Sequence, residues 1–143
     1  ALVHKLKEEK RMLPKALVLF SPWTDMTCSG ESFQGRKTFD PVLTPEYLYQ
    51  IRADYAKDEN YENPYISPLF GDFSDFPPTL IQVGENEILY SDALRLRDEM
   101  EKKKVMVQFE EYNKMWHVFQ MSPIKKAQEA VENCAEFICE ICR

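Results

Sequence analysis

The chain has 143 residues, of which 44% are hydrophobic and 13% aromatic, and it carries a net charge of -6. That length sets one domain at most, and the apolar share is enough for a packed core and too rich for a disordered chain. Acidic residues spread along the sequence speak against a nucleic-acid partner, and no apolar run approaches the roughly 20 residues that span a bilayer.

The opening ALVHKLKEEKRM lacks the apolar middle of a secretory leader and reads as a helix over 1–12. Ala1, Leu2, Leu6 and Met12 fall on or near one side, and His4 reads as a surface side chain. Pro14 breaks the helix. KALVLF (15–20) is nearly continuously apolar, the pattern of a strand buried on both faces of a parallel sheet. From Ser21 to Pro78 the chain is loop-rich. One helix is expected inside this stretch, with Thr44 as cap, Pro45 at its first position and Glu46 next. A connection this long between strands is usually functional.

TLIQV (79–83) is the second strand, ended by Gly84. Ser91 or Asp92 is expected to cap a helix running to about 103, with Ala93, Leu96 and Met100 on one face. VMVQFEEY (105–112) is the third strand. Ser122 as cap and Pro123 at the first position are expected to open a last helix, whose apolar face is Ala127, Ala130, Val131, Cys134, Ile138 and Ile141. Strands alternating with helices imply a parallel sheet flanked by helices, an α/β fold. Of the four cysteines, Cys139 and Cys142 form a C-x-x-C, but no second pair completes a structural zinc site, and the cysteines read as small apolar helix residues. Reduced thiols suit a cytoplasmic setting.

The unit 79–117 places two chemical residues together. A helix of about 13 residues runs back roughly 20 Å, and a strand of about 7 residues climbs roughly 23 Å, so both strands end at one edge of the sheet. Open parallel sheets bind ligands beyond those carboxyl ends. Glu87 follows one strand and His117 follows the other. A carboxylate beside a loop histidine is the orienting half of a nucleophile–histidine–acid relay, although a plain hydrogen-bonded loop histidine fits the same pattern, and Glu85 and Asp92 are rival carboxylates.

Residues 17–27 (LVLFSPWTDMT), 63–96 (NPYISPLFGDFSDFPPTLIQVGENEILYSDALRL) and 116–119 (WHVF) together resemble the C-terminal half of an α/β-hydrolase, in particular the hormone-sensitive-lipase-like esterases often called acetyl esterases. The resemblance runs from about residue 1 to 140. It implies the C-terminal part of an α/β-hydrolase fold over 1–143, with three parallel strands, helices around them and a cap-like insertion at 25–76. Carried across, the catalytic acid falls on Glu87, where many relatives have aspartate, and the catalytic base falls on His117. Trp23 and Asp25 fall near the substrate pocket or serve as loop anchors. Met115, Trp116, Val118 and Phe119 line an acyl pocket or pack in the core.

Two family motifs, the H-G-G-G oxyanion loop and the G-x-S-x-G nucleophile elbow, do not occur in the sequence, and CSGES (28–32) has the wrong spacing for an elbow. The resemblance therefore implies a serine carboxylesterase acting on short-chain acyl esters, of which this chain carries the acid and the base but not the nucleophile, so that alone it is inactive. It needs no metal and no cofactor. Its expected partners are a small-molecule ester and either the missing N-terminal half or a second copy pairing through the strand at 15–20. The alternative is a non-catalytic ligand-binding or interaction protein on the same fold.

Overall fold

The computed structural model describes residues 1–57 and 59–143. Its sheet has three parallel strands in the order β1 (Leu17–Phe20), β2 (Thr79–Gly84), β3 (Val107–Tyr112). The strand expectations hold in place, direction and order. Every residue of the central strand β2 is buried. Pairing aligns Leu19, Ile81 and Phe109 in one row and Phe20, Gln82 and Glu110 in the next. Successive side chains leave a strand on opposite faces.

One face is covered by α4 (Tyr90–Lys102), which packs Ala93, Leu96 and Met100 against Ile81 and Val83. The apolar spacing of this helix is as expected, but its cap is Leu89, with no side-chain cap bond. Asp92 instead turns its carboxylate away to accept the backbone N–H groups of Thr24 (2.9 Å) and Asp25 (2.8 Å). An unmet buried N–H costs about 1–3 kcal/mol, so meeting two of them outweighs one lost cap. The first helix, α1 (Leu2–Glu8), lies on the same side and ends earlier than expected. Its inward residues are Val3 and His4, whereas Leu2 and Met12 are exposed. His4 is thus no free surface residue. Its Nε2 lies 3.1 Å from the Pro68 carbonyl, its ring sits against Phe73 and Phe76, and burial lowers its pKa. A side chain at Gly71 would collide with that ring.

The opposite face carries α5 (Lys125–Cys142). Ser122 and Pro123 do not open this helix. Ser122 closes a short 3-10 turn at Phe119–Met121, and Ile124 is the cap. Ala127, Ala130 and Phe137 are buried, but Val131 and Ile138, expected on the inner face, are about half exposed, at 48% and 42%. Cys139 and Cys142 are exposed thiols near the end of the helix.

The stretch between β1 and β2 contains the expected helix α3 (Pro45–Ala56), capped by Thr44 through the Tyr47 N–H, and a shorter helix, α2 (Glu31–Gly35), that the sequence did not suggest. These form a second core in which Phe33, Leu43 and Leu48 meet Ile88 and Leu89. Ser32 and Ser91 exchange hydrogen bonds, each hydroxyl accepting the other's backbone N–H at 2.8 Å. The insertion is therefore bolted to the start of α4.

Burial pushes the Asp92 carboxyl up to about 6, with the Asp25 charge adding to it and the Thr24 and Asp25 N–H groups opposing it. The folded chain thus holds this proton more tightly than the unfolded chain. The associated stabilisation is fully present below about pH 4 and is lost as pH rises to about 6, amounting to about 3 kcal/mol. Asp92→Asn keeps a carbonyl acceptor for both N–H groups and removes the titration. Urea unfolding at several pH values should show the wild-type stability falling relative to the variant between about pH 4 and 6 and staying level above that.

Candidate active site

Three loops leave the carboxyl ends of the three strands and converge. Ser21 directly follows β1, Glu85 to Glu87 follow β2, and residues 113–118 follow β3. Gly84 makes the convergence possible. A Cβ there would stand 2.4 Å from the Met115 carbonyl oxygen, so only glycine lets the β3 loop pass so close to the end of β2. The two loops are laced by backbone bonds, from Glu85 N–H to the Tyr112 carbonyl (3.0 Å) and from Asn86 N–H to the Met115 carbonyl (2.9 Å).

Within this frame Glu87 is fully buried. Its Oε2 lies 3.2 Å from Nδ1 of His117, whose side chain keeps 22% of its surface exposed. Its Oε1 accepts the Ser21 hydroxyl at 2.7 Å and the Gly84 N–H at 2.5 Å. A buried carboxylate needs donors on both oxygens, and here both have them. The rival carboxylates are committed elsewhere. Glu85 accepts the Lys114 N–H at 3.0 Å, and Asp92 holds the Thr24–Asp25 loop.

The arrangement fixes an imidazole whose Nδ1–H can be donated to Glu87 while Nε2 remains to take up a proton. The anion behind the ring stabilises the imidazolium when it forms. Among the described residues no group of three or more His, Cys, Asp or Glu side chains is placed to hold a metal ion.

The other expected site residues divide. Met115 and Trp116 are half-buried beside His117 and pack on Tyr112, Phe119, Ala127 and Ala130. Val118 contributes its backbone, donating its N–H to the Ser21 hydroxyl at 3.0 Å. Phe119 has no exposed surface and lies tilted against Tyr112 with ring centroids 4.8 Å apart, so it is a core anchor and not a pocket wall. Trp23 donates Nε1–H to the Asp25 carbonyl (3.0 Å) and packs against the core of the insertion. Asp25 is the loop anchor. Burial pushes its carboxyl up, but hydrogen bonds from Ser29, Thr27 and Arg95 outweigh that and hold it below the usual carboxylate range.

Sequence reasoning missed three supports. Ser21 bridges Glu87 and Val118, Asp40 accepts the Ile88 N–H at 3.0 Å, and Ser32 donates its hydroxyl to the Ile88 carbonyl at 2.7 Å. Asp40 and Ser32 clamp the residue next to Glu87. Only the SPW stretch after β1 gave any signal for this shell, and it pointed at Trp23 rather than Ser21.

Comparison with known proteins bears on the fold and its family. A family model for the α/β hydrolase fold matches residues 1–121. An esterase of Acinetobacter venetianus is 38% identical over 140 residues, which are 96% of this chain and 46% of that protein. An acetyl-hydrolase of Streptomyces hygroscopicus is 33% identical over 96% of this chain and 47% of its own length. The crystal structure of an esterase from the bacterial hormone-sensitive lipase family superposes with a TM-score of 0.92 at 35% identity, covering 95% of this chain and 46% of that one. A hormone-sensitive lipase homologue from a metagenome library, EstE7, gives 0.95 at 31% identity, covering 97% and 49%. The chain spans about half the length of these relatives. From the match over most of its residues and the three parallel strands that converge on one edge, the chain belongs to the α/β hydrolase fold family.

Proposed function

We propose that this chain supplies the acid–base half of a serine carboxylesterase acting on short-chain, acetyl-type acyl esters. The observation that carries the reading is the buried Glu87 carboxylate 3.2 Å from His117 Nδ1 at the carboxyl edge of the sheet. The esterase and acetyl-hydrolase relatives support the reaction class. Neither a G-x-S-x-G nor an H-G-G-G motif occurs in the 143 residues, and the relatives are about twice as long. The nucleophilic serine and the oxyanion donors are therefore assigned to sequence outside this chain.

In the complete site the serine hydroxyl attacks the ester carbonyl carbon and its proton passes to His117 Nε2. Backbone N–H groups hold the oxyanion, and the imidazolium returns the proton to the departing alcohol. Water then repeats the sequence on the acyl-enzyme and releases the acid. Glu87 keeps its place throughout by accepting the Nδ1–H. No step calls for a cofactor. The insertion at 25–76 acts as a cap over the edge where these loops meet, a role supported by its attachment on either side of Ile88. Met115, Trp116, Trp23 and the backbone of Val118 border the substrate. Cys28, Cys134, Cys139 and Cys142 are all unpaired, which suits a reducing, cytoplasmic setting.

The same reading assigns a partner to the bare side of the sheet. β1 is an edge strand with no charge, proline or bulge between Ala16 and Phe20, whereas the other edge, β3, carries Glu110 and Glu111. Phe20, Val131 and Ile138 add exposed apolar surface. The rest of a family-length protein covers this face, or a second copy does so when the chain is alone.

Three outcomes are expected. Glu87→Gln in the family-length protein should lower kcat for a chromogenic acetyl ester by about a thousandfold or more, with KM and folding little changed. The Oε1 position already receives two donors, so the amide oxygen must stay there and the NH2 must face His117, which forces the wrong tautomer. Near-normal turnover sinks the assignment. The 143-residue chain alone should neither turn over the ester above an imidazole background nor be labelled by an organophosphate; labelling at Ser21, Ser29 or Ser67 shows an overlooked nucleophile. In light scattering the isolated chain should exceed the monomer mass and approach it on dilution, and a strict monomer at every concentration overturns the assigned partner surface.

A further inference from the structure

The acid–base pair leaves one buried hydroxyl without a role. Ser21 is 3% exposed and holds a left-handed backbone, φ 47°, a region that residues with a side chain seldom occupy. Its N–H completes the β1–β2 ladder by donating to the Gln82 carbonyl at 2.9 Å. The chain then turns sharply, and the turn brings the hydroxyl inward instead of continuing the strand. The hydroxyl meets the Glu87 carboxylate on one side (2.7 Å) and the Val118 N–H on the other (3.0 Å). Val118, the residue after His117, is itself left-handed, at φ 49°. Two unfavourable backbone conformations thus face each other across one oxygen atom.

The direction of these bonds follows from the groups. An ionised carboxylate only accepts and a backbone N–H only donates, so the single hydroxyl proton goes to Glu87 and an oxygen lone pair receives Val118. Ser21 therefore donates to the acid and not to the base, the reverse of what a nucleophile does. With Gly84 and Ser21 both on Oε1, the carboxylate plane is fixed and Oε2 is the oxygen presented to His117.

We infer that Ser21 is a positioning residue whose hydroxyl locks the Glu87 carboxylate and the 117–118 backbone into one geometry, so that His117 is held with its proton on Nδ1 and Nε2 left free. This rests on the proposed acid–base reading of Glu87 and His117. A residue that merely filled space would be matched by alanine. The alanine side chain occupies nearly the same volume, but it leaves the Val118 N–H without its acceptor and Oε1 held by the Gly84 N–H alone, so the carboxylate is less firmly fixed.

The tautomer of His117 reads this directly and needs no substrate or nucleophile. The chain has only two histidines, so 15N spectra of the imidazole nitrogens in the 143-residue protein at a pH where His117 is neutral give its tautomer. The variants are Ser21→Ala, Ser21→Gly and Glu87→Gln. Glycine favours the left-handed backbone, so Ser21→Gly removes the hydroxyl while relieving the turn, and it decides the matter where Ser21→Ala folds poorly. The wild type is expected to be mainly Nδ1–H. Ser21→Gly and Glu87→Gln are each expected to lose that majority. If Glu87→Gln loses it and Ser21→Gly keeps it, the role of Ser21 is overturned while the acid–base reading stands. If Glu87→Gln keeps it, Glu87 does not orient His117, and both fall together.

Discussion

The organisation of this molecule follows from one buried anion. Glu87 has no contact with solvent, and a carboxylate in that position is tolerable only when its oxygens are met by donors. The donors come from three separate parts of the chain. Gly84 belongs to the same turn, Ser21 lies 66 residues earlier and His117 lies 30 residues later. Each strand of the sheet delivers one of them at its carboxyl end. The parallel topology, the sharp turn after β1, the glycine at the end of β2 and the left-handed Val118 are all conditions for satisfying the same two oxygen atoms.

The long insertion serves that condition from outside. Its own core closes on Ile88 and Leu89, the residues immediately after the acid. Asp40 is a good example of how this is done. One oxygen accepts the Val42 and Leu43 N–H groups and so folds its own loop, while the other accepts the Ile88 N–H and ties that loop to the acid. Ser32 takes the carbonyl of the same residue. The peptide units on both sides of Ile88 are therefore fixed by a segment that contributes neither acid nor base. The Asp25–Arg95 pair, at 2.7 Å, holds the base of the same insertion against α4.

β1 and β2 were legible in the sequence because their runs are short, largely apolar and bounded by proline or glycine, whereas β3 carries Gln108, Glu110 and Glu111 and has no such boundary. Element lengths brought the loops of Glu87 and His117 to one edge, while the choice of Glu87 over Glu85 and Asp92 came from the family resemblance. What was not legible depended on a preceding turn in one place and on contacts remote in sequence elsewhere. Ser122 and Pro123 have the chemistry of a helix start, yet the preceding 3-10 turn uses Ser122 as its end, and the helix begins at Lys125. Asp92 has the chemistry of a cap, yet two amides from 68 and 67 residues away claim it. His4 looks like a surface residue until Phe73 and Phe76 are brought beside it. Val131 and Ile138 fit the periodicity of a buried face, but periodicity reports which side of a helix is apolar, not how much of it a neighbour covers.

The bridging position of Ser21 also bears on how the site comes together during folding. β2, α4 and β3 are consecutive, so Glu87 and His117 can meet through a loop closure of only 30 residues, and such local contacts form early. Ser21 reaches Val118 across 97 residues of chain and must wait for β1 to dock on β2. The pair is thus brought near by a short crossover, and the most distant contact in it closes last. On the proposed role of Ser21, histidine orientation becomes a late marker of folding, one that reports β1 docking from the far side of the sheet.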